Sequence, residues 1–175
     1  MPRPNPIVAR VEKSMVSDRY SRDIRYLRRA IELAKRSRAG GHHPFGALVV
    51  TDDDKILVER ESRKERGGDA TQHSELEAVR AVSAQFPKDV LQRSTLYTST
   101  EPCAMCAGAI YWGGIGRVVY SFPEHRLMEM TGNHPENPTL TLPCRELFAR
   151  GQRKIEVIGP LIEEEGREAH AGFWA

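Results

Sequence analysis

The chain has 175 residues, 39% hydrophobic and 29% charged, with 26 basic and 24 acidic side chains and a net charge of +2. That length and balance fit one globular domain with a sizeable core, and so small a net charge argues against a nucleic-acid partner held through phosphate contacts. No apolar run reaches membrane-helix length, and three cysteines are no disulfide framework, so reduced thiols and a cytoplasmic location are expected.

Residues 1–17 read as a mobile arm: Met1–Arg10 holds three prolines and no apolar core of a signal peptide. Residues 18–175 then form the domain. Tyr20, Ile24, Leu27, Ile31 and Ala34 recur at steps of four and three, which predicts an amphipathic helix stopped at Gly40-Gly41. Its Arg19, Arg22, Arg25, Arg28, Arg29, Lys35, Arg36 and Arg38 read as a solvated face rather than an RNA-binding stripe. Strands are expected at Phe45–Thr51 and Lys55–Glu59 around the turn Asp52-Asp53-Asp54, then at Thr95–Thr100, Arg117–Phe122 and Lys154–Ile158. Helices are expected beside His73, from Pro102, over Leu142–Arg150 and over Leu161–Ala171. A helix between the last two strands favours a parallel crossover. The closing His170-Ala171-Gly172-Phe173-Trp174 offers aromatics. They suit stacking on a flat ring, in the chain's own pocket or a dimer partner's, as well as they suit a hydrophobic plug or a floppy end.

His73 and Glu75 are followed, thirty positions after the histidine, by Cys103, with Cys106 three further on. Residues three apart on a helix share a face, so both sulfurs can reach one ion. Pro102 suits the first helical position, and Gly113-Gly114 would end that helix after Trp112. Both thiols then lie in the first turn, where free amides and the helix dipole favour thiolate. Taken alone, the Cys-x-x-Cys pair fits a redox dithiol or two buried thiols as well as a metal. Glu75 tips the balance. Two positions from His73 on a helix, it points elsewhere, in phase with the apolar Val79, Val82 and Phe86. A carboxylate heading a buried stripe is costly unless paired or used, although an acid in a first turn also suits the dipole. Three ligands leave the fourth position of a tetrahedral zinc open, as catalytic sites do. Glu75 would then move protons between an attacking water and a departing amine. Cys144 follows Pro143 but lacks a second ligand at metal spacing, and reads as a small buried residue. The His-x-Glu…Pro-Cys-x-x-Cys arrangement is the signature of zinc deaminases that act on nucleobases.

Further segments carry a resemblance to a known family. Gly41-His42-His43-Pro44-Phe45-Gly46-Ala47-Leu48-Val49-Val50, Asp69-Ala70-Thr71-Gln72-His73 and Thr98-Ser99-Thr100-Glu101-Pro102-Cys103, continuing to Ala109-Ile110-Tyr111-Trp112, resemble the cytidine deaminase superfamily of zinc hydrolases, in its nucleobase and tRNA-adenosine branch. The Cys103 segment is most similar to bacterial guanine deaminases. The resemblance runs from about Tyr20 to about Val157. With the element order, it implies an α/β fold: a three-layer α-β-α sandwich on a five-stranded mixed sheet with its last two strands parallel. It implies one Zn2+ per chain on His73, Cys103 and Cys106, with Glu75 as proton shuttle. The Ser74 amide would contact the base, the Glu101 carbonyl would receive the amine, Phe45 would wall the pocket, and Trp112 would lie near the site. Ser62 stands where many relatives carry an Asn that holds the substrate, and a hydroxyl offers less than an amide's paired donor and acceptor. Glu124, Glu129 and Glu136 are the candidates for the second acid that assists guanine deaminases. Guanine or a related aminopurine is therefore the first expected substrate, then cytosine or an aminotriazine, then adenosine in tRNA. The acidic Glu163-Glu164-Glu165 does not match the basic end of tRNA deaminases. A silent zinc scaffold or an RNA-binding module has no need of Glu75. A homodimer is implied by the resemblance alone.

Overall fold

The computed structural model describes residues 6–63, 68–132 and 134–174, with side chains from residue 16 onward. In chain order the elements are α1 (Pro6–Ala39), β1 (Gly46–Val50), β2 (Ile56–Glu61), α2 (Ser74–Gln85), α3 (Lys88–Arg93), β3 (Thr95–Thr100), α4 (Ala104–Gly113), β4 (Arg117–Phe122), α5 (Glu124–Thr131), α6 (Cys144–Ala149), β5 (Glu156–Ile158) and α7 (Glu163–His170). The sheet order is β2-β1-β3-β4-β5. β1 runs antiparallel to β2 and β3, while β3, β4 and β5 are parallel. The expected parallel crossover between the last two strands is present, with α5 and α6 inside it.

Strand residues alternate between two buried faces, because successive side chains point to opposite sides of a sheet. Leu48, Val50, Tyr97 and Val119 meet Tyr26, Leu27 and Ala30 of α1. Ala47, Val49, Leu96 and Val118 meet Ala78, Val79 and Val82 of α2, Ala107 and Ile110 of α4, and Phe148 of α6. Helices on both faces give the three-layer sandwich, and explain why β1, β3 and β4 are buried along their whole length.

Several expectations shift. Of the segment expected as an arm, residues 1–5 lie outside the described residues and residues 6–17 are helical. Tyr20 is 54% exposed, and the buried stripe of α1 runs instead through Asp23, Leu27, Ile31, Ala34 and Ser37. Seven of the eight cations singled out on α1 are paired with acids rather than simply solvated, and Arg38 donates to the Ala169 carbonyl (3.1 Å). Arg22 and Arg25 meet Asp54, Arg28 meets Glu165, Arg29 meets Glu59, Lys35 meets Glu168, Arg36 meets Glu61 and Arg19 meets Glu156. Each exposed pair contributes little stability, but together they commit these charges to β2, its turn, β5 and α7. Deeper, the Asp23 carboxylate accepts hydrogen bonds from both terminal nitrogens of Arg117 (2.7 and 2.6 Å) and from the Tyr97 hydroxyl (2.9 Å). Among the described residues no helix is long and apolar enough to cross a membrane.

Candidate zinc centre

Both candidate metal-binding segments begin a helix with a ligand. His73 caps α2 with extended backbone (φ −82°, ψ 142°), and Cys103 caps α4 the same way (φ −63°, ψ 169°). Pro102 therefore precedes the cap instead of opening the helix as expected, and Cys106 is the third helical residue. α4 ends at Gly114, whose φ of +94° is the left-handed stop that glycine makes without strain.

The three ligand atoms lie within 4.8 Å of one another. His73 Nδ1 is 3.6 Å from Cys103 Sγ and 3.5 Å from Cys106 Sγ. A tetrahedral zinc with ordinary Zn–S and Zn–N bonds requires sulfur-to-nitrogen separations of about 3.5 Å. Both histidine-to-cysteine separations thus suit the ion as they stand. The Cys106 thiol hydrogen-bonds Cys103 and, with His73 nearby, holds the Cys103 thiol down to about 4. The same bond, followed by burial, pushes Cys106 up. One thiolate is ready at neutral pH, and metal uptake releases the proton kept on the other.

Glu75 is buried. Burial raises its pKa, an effect opposed by His73 and reinforced by Cys103. Two hydroxyls aim it: Ser74 Oγ donates to Oε2 (2.9 Å) and Thr98 Oγ1 to Oε1 (3.3 Å), the latter shared with the Thr100 carbonyl (2.9 Å). The sequence reading drew on the Ser74 amide but missed its hydroxyl, and missed Thr98 altogether.

Glu101 contributes more than a carbonyl. Its buried carboxylate accepts the Glu124 N–H (3.2 Å) and the Cys144 N–H (3.1 Å), the first residues of α5 and α6. One anion therefore serves two helix starts, where amides lack partners inside the helix. Glu101→Gln would turn an amide N–H2 toward one of those donors. We expect a loss of about 2 kcal/mol, read as a lower urea midpoint at unchanged slope; an unmoved midpoint would refute this bracing.

Of the three acids considered, Glu124 sits closest to the chemistry. Burial, and then the charges of Cys103, Glu75 and Glu101, push it up to about 8. Glu129 is exposed and paired with Arg126 (2.6 Å), and Glu136 lies 3.9 Å from His43. Phe45 stacks parallel to the His73 imidazole, centroids 6.4 Å apart at 6°. Ser62 donates its N–H to the Phe45 carbonyl (2.9 Å) and its hydroxyl to the Gln72 carbonyl (3.4 Å), so it ties Phe45 to the segment that leads to His73. Trp112 is not brought to the ligands. It is 81% exposed, nine residues along α4 from Cys103, about 13 Å at helical rise. The tail packs on its own chain: buried Trp174 lies 6.3 Å from Phe45 and 5.1 Å from His43, ring centre to ring centre. A cavity of about 130 Å³ opens there between Gly41, His43, His134, Glu136, Phe173 and Trp174.

Residues 20–122 match the cytidine and deoxycytidylate deaminase zinc-binding region. A probable cytosine deaminase of Schizosaccharomyces pombe is 40% identical over 153 residues, covering 87% of this chain and 93% of that protein. The guanine deaminase of Bacillus subtilis is 39% identical over 97 residues, 55% of this chain and 62% of that one. A solved guanine deaminase from Nitrosomonas europaea superposes with a TM-score of 0.63 at 27% identity, over 83% of this chain and 82% of that structure. The matched region contains Glu75 and the clustered ligands His73, Cys103 and Cys106, and on these grounds the chain belongs to the cytidine and deoxycytidylate deaminase family, zinc hydrolases that cleave C–N bonds.

Proposed function

We propose that the protein hydrolyses the exocyclic amine of a free nucleobase, cytosine ahead of guanine, releasing ammonia. The similarity to the S. pombe protein carries this choice, because it spans nearly all of both chains. The guanine deaminase match from B. subtilis covers 55% of this chain, which reverses the order expected from the Cys103 segment. The tail supports a small substrate over tRNA: Trp174 is buried beside Phe45 in the same chain, and seven of the eight cations singled out on α1 already meet an acid. Guanine stays as the second reading, favoured by the likeness to the N. europaea structure.

His73, Cys103 and Cys106 would hold zinc, which supplies a Lewis acid that makes water a nucleophile near neutral pH. Glu75 takes a proton from the water, passes it to the ring nitrogen, and delivers the next to the departing amine. Ser74 and Thr98 keep its two oxygens aimed. The Ser74 amide and Glu101 carbonyl hold the base, with Phe45 as its wall and Ser62 behind that wall. Water and the amino-base give the oxo-base and ammonia, so no further reactant is needed. Free thiols at all three cysteines fit a reducing cytoplasm. A homodimer completes the reading, through the apolar α4 face where Met105 and Trp112 are exposed.

Ammonia release from the zinc-loaded protein tests this across cytosine, guanine, adenine, their nucleosides, an aminotriazine and tRNA. We expect the largest kcat/KM on cytosine. Turnover of guanine alone would transfer the assignment to the second reading, and turnover of tRNA alone would defeat both.

A further inference from the structure

We propose that His170 is a positioning residue: locked in one tautomer, it latches the C-terminal tail to β3 and so sets the pose of the pocket wall. The ring is fully buried at the end of α7, between the tail and the strand that leads to Cys103. Trp174 Nε1–H donates to His170 Nδ1 (3.3 Å), and His170 Nε2 lies 3.0 Å from Thr100 Oγ1. An indole N–H can only donate. Nδ1 is therefore the acceptor, and the neutral ring carries its proton on Nε2 and gives it to Thr100. One imidazole, used at both nitrogens, joins tail to strand.

The turn that brings Trp174 back is local. Gly172 has φ +69°, where other residues are strained, and the Phe173 N–H returns to the His170 carbonyl (3.1 Å). Two lines then run from the latch to the site. An aromatic line passes from His170 and Trp174 to Phe45 (5.2 and 6.3 Å between ring centres), and from Phe45 to the parallel His73 ring. A polar line passes through Thr100, whose carbonyl accepts from the same Thr98 hydroxyl that reaches Glu75. Releasing the tail would loosen Phe45 before it disturbed the ligands. The latch should thus govern KM more than kcat, a consequence that rests on Phe45 being the substrate wall.

The test compares His170→Leu, which removes both hydrogen bonds, with His170→Gln, which keeps one acceptor and one donor. The chain has two tryptophans, so on a Trp112→Phe background Trp174 emission alone reports tail docking. Expected for His170→Leu are a red-shifted emission, full zinc content, kcat nearly unchanged, and KM raised about tenfold, the equivalent of one buried hydrogen bond. His170→Gln should restore both emission and KM. Unchanged emission and KM in His170→Leu, a fall in kcat alone, or a glutamine variant as impaired as the leucine one would each overturn the latch. If His170→Leu does not fold, Trp174→Phe, which keeps a ring without the N–H, should raise KM, and a normal KM there refutes the proposal. If the parent protein turns over no base, the deaminase reading fails on its own, and emission in the leucine and glutamine variants still decides the latch.

Discussion

Replacement of Glu75 by glutamine is expected to lower kcat by about 10²- to 10⁴-fold, the usual contribution of a positioned proton carrier, while the protein keeps its zinc and unfolds no earlier. Glutamine has almost the same shape and can still accept from Ser74 or Thr98 with its one oxygen. It cannot hold and release a proton. Zinc retention follows from the ligand set, which is His73, Cys103 and Cys106 without Glu75. Unimpaired stability follows from burial: the wild-type carboxylate is costly to ionise where it sits, which is why its pKa is raised. Glutamine lacks that cost, so the melting temperature should hold or rise. Metal analysis, calorimetry and steady-state kinetics on one preparation separate the parts. A variant within tenfold of wild-type kcat would remove Glu75 from the proton path. Loss of zinc alongside activity would make it a structural support of the metal instead.

The ligands and Glu75 were legible because their signal is local. Spacing along the chain indicates which of these residues share a helix end, and the bounds expected for β3 and β4 match to the residue. What stayed hidden is non-local. The Glu101 carboxylate meets amides 23 and 43 positions away, and no periodicity joins those segments. Thr98 reaches Glu75 only because β3 lies beside β1, one of the two strands that α2 packs over. His170 looked like part of an aromatic tail, while its partner Thr100 is 70 residues distant. α3 and α5 were overlooked, since six and eight residues display little of a helical repeat; α6 and α7, just as short, were expected only within the longer spans Leu142–Arg150 and Leu161–Ala171. α5 did carry end signals, with Pro123 before Glu124 and a stop at Gly132. Ser62 was expected to matter through its difference from an asparagine. The structure adds a second role, bracing Phe45 through its backbone.

The cluster most exposed to a single substitution lies at the other end of the same strands. Asp23→Ala should destabilise the fold by about 3–5 kcal/mol, the cost of stripping one partner from a buried ion pair. Arg117 would keep Glu156 (3.0 Å) but lose two short hydrogen bonds, and the Tyr97 hydroxyl would lose its acceptor. Burial, then the Asp23 charge, pushes the Tyr97 pKa up, so its proton stays in place to donate and would be left unmatched. Guanidinium unfolding should show a lower midpoint at unchanged slope. Pairing the change with Arg117→Met should recover part of the loss, because the second charge is then no longer stranded. Arg117 opens β4 opposite Thr95, whereas Glu101 and Cys103 follow the far end of β3. The folded fraction of Asp23→Ala should therefore bind zinc and turn over substrate as the wild type does. A loss below about 1 kcal/mol would place the pair in the range of exposed ion pairs. The grip of α1 on the sheet would then rest on Tyr26, Leu27 and Ala30.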